Sequence, residues 1–180
     1  MNDQSRIAEA ESEIDSGNVE RAHQLLEPLV KAGDAKAIFL AGSIGKSGES
    51  EAQFLKRHIE SVEIAAEKGD VDAIYALGIF YDVGDDGFEI DLVKASELFK
   101  KAADLGHLRC KWIHACELLW GLGSYDQDIS KGLQYLKQSM QGNFVEAFET
   151  MARIYEHGEF GYEKSDARAA ELRALAMANE

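Results

Sequence analysis

Proline and cysteine are scarce in this 180-residue chain, which has one proline and two cysteines beside sixteen glycines. Proline marks irregular loops and breaks helices, whereas glycine commonly ends them, so this balance favours helices separated by glycine turns. Cys110 and Cys116 would lie about 9 Å apart on one helix, beyond the reach of a disulfide, and we expect both to be reduced thiols. The sequence therefore predicts an all-helical protein without disulfide cross-links.

Long apolar runs and an excess of positive charge are also missing. No apolar segment approaches the roughly eighteen residues of a membrane span, and the first six residues lack the basic start of a signal peptide. We therefore expect a cytoplasmic protein that does not bind membranes. The 33 acidic and 19 basic residues give a net charge of −14 at pH 7, which would repel phosphate backbones and argues against a nucleic-acid partner.

A repeat of 36 to 37 residues runs through the chain and is defined by two markers in register. The first marker is a small residue, at Ala37, Ala73, Cys110 and Ala147. The second is a glycine eleven positions later, at Gly48, Gly84, Gly121 and Gly158. Apolar residues recur at helical spacing between the markers and again after the glycine. Each repeat is therefore predicted to be helix, loop, helix and tight turn.

The repeats predict a single domain with five parts. We expect an N-terminal capping helix pair over 1–32 and four repeats over 33–68, 69–105, 106–142 and 143–180. Small residues such as Ala37 and Gly42 should lie where the two helices of one repeat cross. An aromatic residue follows each of the last three loop glycines after four positions, and we expect it to pin the loop to the core. These aromatic residues are Phe88, Tyr125 and Tyr162.

The second repeat carries the most specific pattern. Its residues read Ala73-x-x-x-Leu77-Gly78-x-x-Tyr81-x-x-Gly84, then Asp91-x-x-Lys94-Ala95, and close on Lys101-Ala102-Ala103-Asp104-Leu105-Gly106. This pattern is similar to the SEL-one-like repeat (SLR), a relative of the tetratricopeptide repeat. The resemblance covers about 33–180, with Cys110, His114 and Leu118 at the Ala, Leu and Tyr positions of the third repeat and Gly45 at the Tyr position of the first. It implies an all-α, right-handed superhelical solenoid of antiparallel helix pairs, which acts as a scaffold or adaptor.

Candidate binding residues lie at offsets two, six and nine from each small residue, on the face of the first helix that points away from its partner helix. The residues predicted to contact a partner are Phe39, Tyr75, Ile79, Asp82, Trp112, Cys116, Leu119, Glu149 and Arg153. First helices line the concave side of arrays of this type, so an aromatic ladder flanked by charges predicts a protein-binding surface. The alternative is that the rings pack between neighbouring first helices.

Three motifs suggest a phosphate, zinc or calcium site, but each lacks a residue or a spacing that the site requires. Residues 40–47 end in the Gly-Lys-Ser of a phosphate loop but begin with leucine where glycine is required. His107, Cys110 and His114 share a helix face but offer zinc no fourth ligand. The acidic residues of 82–91 do not have the register of a calcium loop. We therefore predict no catalytic residue, no metal and no cofactor.

The predicted function is a cytoplasmic protein–protein interaction scaffold or adaptor that binds a peptide or protein on its concave face. A partner of basic character is expected because complementary charge speeds encounter and selects partners. One alternative is an immunity or inhibitor protein that neutralises a basic toxin, and a second is a metal-dependent enzyme. The partner's identity, the oligomeric state and the face that is used stay open at this point.

Overall fold

The computed structural model describes residues 2–84 and 87–179, and within these ranges its regular structure consists of ten helices. They are α1 (Asp3–Asp15), α2 (Val19–Ala32), α3 (Ala35–Ser43), α4 (Glu51–Glu67), α5 (Val71–Val83), α6 (Leu92–Asp104), α7 (Leu108–Trp120), α8 (Ile129–Gln141), α9 (Val145–His157) and α10 (Asp166–Ala178). The predicted all-helical class is confirmed. Asp85 and Asp86, part of the predicted acidic loop, lie outside the described residues.

Contacts divide the chain into two compact units, residues 1–91 and residues 92–180. Unit 1 holds α1 to α5 and unit 2 holds α6 to α10. Within each unit, helices that follow one another in the chain pack side by side. The core of unit 2 includes Leu119, Leu136 and Ile154, which are fully buried. The division into one capping pair and four repeats within a single domain stays a prediction.

Residues in the left-handed region end the helices at the predicted places. Gly33 follows α2 with φ 80°, and Asn143 stands in the equivalent turn after α8 with φ 61°. Gly84, Gly121 and Gly158 cap the C-terminal ends of α5, α7 and α9. Glycine adopts positive φ without a side-chain clash and asparagine is its usual substitute, which explains why these two residue types recur in register.

The other packing predictions are also met. Gly42 is buried on α3, and a Cβ atom added there would lie 2.2 Å from Cβ of Ser61 on α4. Only glycine therefore permits this close approach of the two helices. The predicted loop aromatics contact rings of the first helices. The ring pairs are Phe88–Tyr81, Tyr125–His114 and Tyr162–Tyr155, with centroid separations of 4.9, 4.7 and 4.9 Å.

The first repeat departs from the others because its first helix is short. Helix α3 has nine residues, whereas α5, α7 and α9 have thirteen each. Gly45 stands at the Tyr position, and the chain is already extended at Ile44. Arg57 on α4 fills the space after this early end and donates hydrogen bonds to the carbonyl oxygens of Ala41 and Ile44 at 2.6 and 2.8 Å.

Candidate partner-binding groove

A groove on unit 2 is lined by helices α7 and α9 and by the loops that follow them. Its residues are Trp112, Cys116, Trp120, Leu122, Thr150, Arg153, His157 and Glu159. A polar extension continues toward α10 and adds Glu146, Glu149, Glu156 and Arg173. We call this whole surface the α7–α9 groove. It has an apolar floor formed largely by indole rings and a charged rim.

Trp112 combines packing with exposure to the groove. Its indole Nε1 donates a hydrogen bond of 2.8 Å to Oγ1 of Thr150, which itself donates to the carbonyl oxygen of Glu146 at 2.8 Å. The ring also stands 5.9 Å from the ring of Phe144. Trp112 is half-buried: it packs as the alternative expects and also lines the groove, and its contact with a partner stays a prediction. These contacts hold the indole in one orientation, which lowers the entropy cost of presenting it to a partner.

The rim charges are largely paired with one another. The guanidinium of Arg173 lies 2.7 Å from a carboxylate oxygen of Glu156 and 3.5 Å from one of Glu149, and this contact holds the pKa of Glu156 below its usual value. Arg153 is exposed, and its guanidinium carbon lies 4.5 Å from the centroid of the Trp120 ring. Trp120 thus already presents a ring face on which a cation rests.

Cys116 on the groove floor is held as a neutral thiol. Burial raises its pKa to about 11, against the opposing effect of the nearby Arg153 charge. A thiol with such a pKa carries almost no thiolate at pH 7, and the thiolate is the nucleophilic and metal-binding form. The chemistry of Cys116 in the folded chain is therefore that of an apolar packing residue.

We expect Cys116 in the folded protein to react with a thiol-specific disulfide reagent at pH 8 at least tenfold more slowly than a free cysteine. The raised pKa leaves the neutral form dominant until the pH approaches about 11, while an ordinary thiol has a pKa of about 8.5. Stopped-flow absorbance would measure the rate. The denatured chain, in which Cys110 also becomes accessible, serves as control; a folded-state rate equal to that of free cysteine would contradict the assignment.

The structure brings four of the predicted contact residues of unit 2 together in the α7–α9 groove: Trp112, Cys116, Glu149 and Arg153. The prediction for Leu119 is wrong. Its side chain is fully buried in the core of unit 2. The reason lies on α8, where Gly132 has no side chain; a Cβ atom there would lie 2.7 Å from Cγ of Leu119. Leu119 fills that space and cannot contact a partner.

The predicted contact residues of unit 1 lie on α3 and α5. Phe39 is half-buried, and the ammonium of Lys36 stands 5.9 Å from its ring centroid. Tyr75 and Ile79 are half-buried on α5, and Asp82 is exposed at its end. These four positions stay predictions as partner contacts.

Sequence reasoning missed Trp120, Thr150, His157 and Glu159 as groove residues. Trp120 falls one position beyond the offsets used for the predicted face, and Glu159 lies on a loop rather than on a helix. One signal could have found Trp120. Both tryptophans of the chain are eight residues apart on a single helix, a spacing that places two side chains about 80° apart, within the width of one amphipathic face.

The residues considered for metal and phosphate chemistry have structural roles. His107 caps α7 by accepting a hydrogen bond from the backbone N–H of Cys110, and Nδ1 of His114 lies 2.9 Å from a carboxylate oxygen of Glu117. Lys46 and Ser47 follow a helix rather than a strand. Over 2–84 and 87–179, no group of three or more His, Cys, Asp or Glu side chains is placed to hold a metal ion.

The fold and the groove define the chain as a helical-repeat protein built from stacked helix pairs. The Sel1 repeat family model matches residues 71–107, 114–143 and 151–172. The chain is therefore a Sel1 repeat protein, and the predicted family is confirmed. In the part of the chain that is described, no helix has the length and apolar character required to cross a lipid bilayer.

The chain is also similar in sequence to two proteins whose names give a role. Chitin synthase regulatory factor 2 of Schizosaccharomyces pombe is 31% identical over 101 residues, 56% of this chain and 20% of that protein. Cytochrome c oxidase assembly factor 7 of Xenopus tropicalis is 28% identical over 163 residues, 87% of this chain and 67% of that protein. This chain therefore spans only a fifth of the fission-yeast factor but two thirds of the frog protein.

Two crystal structures share the fold. A Sel1 repeat protein from Oxalobacter formigenes superimposes with a TM-score of 0.72 and 21% identity, over 88% of this chain and 64% of that one. A protective antigen of uropathogenic Escherichia coli strains with an SLR fold gives a TM-score of 0.70 and 22% identity, over 86% and 32% of the two chains. At this level of identity, they show the fold alone.

Proposed function

We propose that this chain is a non-catalytic, cytoplasmic interaction scaffold that holds a basic peptide or protein segment, with the α7–α9 groove supplying anchor contacts. The observation that carries the proposal is the groove itself, in which both tryptophans of the chain lie between acidic side chains. Large aromatic side chains held in one orientation are the residues that dominate binding energy at protein interfaces.

The names of the relatives support a role that depends on other proteins. Sel1 repeat proteins mediate protein–protein interaction, and the relatives named above are a regulatory factor and an assembly factor. Neither name describes a catalysed reaction. Fold alone does not determine function, so the proposal rests on the groove and its charge as well as on the family.

The net charge of −14 favours a basic partner. Complementary charge accelerates association and penalises partners of the same sign, and both effects weaken as salt screens the charges. We therefore expect the association rate with the true partner to fall as the salt concentration rises. The dissociation rate should change far less, because it depends on the contacts in the groove.

The test is affinity capture from a lysate of the source organism at low and moderate salt, with wild type and Trp112→Ala. We expect the variant to lose at least tenfold in affinity for one basic partner, because truncating a central tryptophan typically costs about 2 kcal/mol or more. Met177→Ala, which changes a side chain that is 73% exposed on α10, is the control and should bind normally.

Circular dichroism must show that Trp112→Ala keeps its helicity, since the substitution also removes the hydrogen bond to Thr150. A folded Trp112→Ala variant that captures the same proteins with unchanged affinity would exclude the groove as the binding surface. Capture that does not depend on salt would contradict a basic partner.

A further inference from the structure

Glu159 lies at one end of the α7–α9 groove with an unsatisfied carboxylate oxygen. Its Oε2 is buried and has no hydrogen-bond partner, and it is the one buried side-chain nitrogen or oxygen in this condition among the residues that the structure describes. Leaving a buried acceptor unpaired costs free energy. This oxygen is enclosed, so a ligand in the groove reaches it only when the Glu159 side chain turns toward the groove. A donor that meets the carboxylate there would recover the cost, so Glu159 favours a ligand that carries N–H groups.

The backbone next to Glu159 is strained. Phe160 has φ 55°, a left-handed conformation that is unusual for a bulky L-residue. Its ring makes an edge contact with Trp120 at a centroid separation of 5.3 Å. Strain of this kind persists only where surrounding contacts fix it, and it is often associated with binding sites. Here the Phe160–Trp120 contact keeps the Glu159 loop against the tryptophan end of the groove.

The first repeat shows which side chain satisfies a carboxylate at this repeat position. Glu49 follows the loop glycine Gly48 as Glu159 follows Gly158. Nε and Nη2 of Arg57, eight residues further on, donate to the two oxygens of Glu49 at 2.7 Å each. The two loops differ in shape because α3 ends early. The Arg57–Glu49 pair nevertheless shows that an arginine can satisfy a carboxylate at this repeat position. Eight residues after Glu159 stands Ala167, which has no donor.

We propose that the α7–α9 groove recognises an arginine side chain of the partner. The guanidinium stacks on an indole ring and donates to the carboxylate of Glu159, while a neighbouring apolar side chain lies on the floor beside Cys116. Arginine suits this site better than lysine because its planar fork pairs with both carboxylate oxygens and stacks on aromatic rings. Arg153 is exposed and competes for the Trp120 face. This inference rests on the proposed function.

Intrinsic fluorescence reports directly on this site, because the two tryptophans of the chain both line the groove.

The probe is a phage-displayed library of random short peptides, selected separately on wild type, Glu159→Gln and Glu163→Gln. Glu163→Gln removes the same charge from an exposed position of the same loop and is the matched control. Thermal melts of all variants should agree.

We expect arginine next to an apolar residue to be enriched on wild type and on Glu163→Gln, but not on Glu159→Gln. A selected peptide should change the tryptophan fluorescence. Replacing its arginine by the neutral isostere citrulline should weaken binding to wild type at least tenfold and weaken binding to Glu159→Gln much less, because only the indole contact is lost there. Arg153→Ala should bind the arginine peptide more tightly, because the competing guanidinium is gone.

Equal arginine enrichment on Glu159→Gln, or no arginine enrichment on wild type, overturns this inference. A different result is needed to overturn the proposed function as well. Peptides that need Trp112 and alter the fluorescence without preferring arginine overturn the arginine proposal alone. Peptides that bind Trp112→Ala as well as wild type and leave the fluorescence unchanged overturn both.

Discussion

Replacing Arg57 by alanine is expected to lower the free energy of unfolding by about 2 kcal/mol or more, because two carbonyl oxygens lose hydrogen bonds worth about 1 kcal/mol each. The side chains of Arg57 and Glu49 are only 21% and 11% exposed. The substitution would leave the Glu49 carboxylate without its two charged hydrogen bonds. It would also leave the carbonyl oxygens of Ala41 and Ile44 without a donor.

Urea denaturation followed by circular dichroism measures this effect. Lys56→Ala is the matched control, since Lys56 is the adjacent cation of α4, is 77% exposed and lies 3.9 Å from Glu60. It should change stability by less than about 1 kcal/mol. Arg57→Lys should recover only part of the loss, because an ammonium cannot donate to both oxygens of Glu49 in the planar geometry of a guanidinium. A stable Arg57→Ala variant would show that the α3 end does not need this side chain.

The same pair makes stability depend on pH with a defined sign. The hydrogen bonds from Arg57 lower the pKa of Glu49 from its usual 4.5 to about 2. A group whose pKa is lower in the folded state stabilises the fold above its unfolded pKa, and this contribution is lost as the pH falls through the folded value. Arg57→Ala should therefore be less sensitive than wild type to acid between about pH 4.5 and pH 2.

The repeat architecture could be predicted because it depends on local rules. Helix spacing, left-handed turn residues and small residues at crossings recur in every repeat, so the periodicity reports them directly. The role of Arg57 could not be predicted in this way. It depends on α3 ending at Ser43, and only this early end exposes the carbonyl groups that Arg57 contacts.

The groove was predictable in part for the same reason. A helical face can be read from offsets along one helix, and this selected Trp112 and Cys116, which line the α7 side of the groove; their contact with a partner stays a prediction. It failed for Leu119, whose environment is decided by a glycine on a different helix, and for Glu159, whose position depends on the strained residue that follows it. Contacts between distant segments carry no periodic signal in the sequence.

The substitution His114→Leu is expected to destabilise the protein by about 2 kcal/mol, the cost of leaving a buried polar group unpaired, although leucine is the residue that the repeat pattern favours at this position. His114 is 2% exposed and Glu117 is 8% exposed. One carboxylate oxygen of Glu117 accepts a hydrogen bond from Ser96, and the other lies 2.9 Å from Nδ1 of His114. Leucine has no ring nitrogen, so it would leave this buried carboxyl oxygen of Glu117 without its partner.

The neighbouring rings and loop leave little room for the side chain of Glu117 to move to a new hydrogen-bond partner. The His114 ring lies against the rings of Tyr125 and Tyr135, at centroid distances of 4.7 and 4.9 Å. At Gly123, a Cβ atom would stand 2.9 Å from a carboxylate oxygen of Glu117. Water therefore has little room to replace the lost imidazole, and the unpaired carboxyl oxygen should keep its full cost.

A double-mutant cycle tests this explanation against simple loss of packing. His114→Leu, Glu117→Gln and the double variant are unfolded in urea, and the coupling free energy is taken from the four stabilities. If the penalty comes from the unpaired carboxyl group, Glu117→Gln should recover part of it in the leucine background, because an amide offers donors as well as an acceptor to its surroundings. A gain in stability for His114→Leu alone would contradict the hydrogen-bond explanation. Additive effects would indicate that His114 contributes only by packing between the tyrosines.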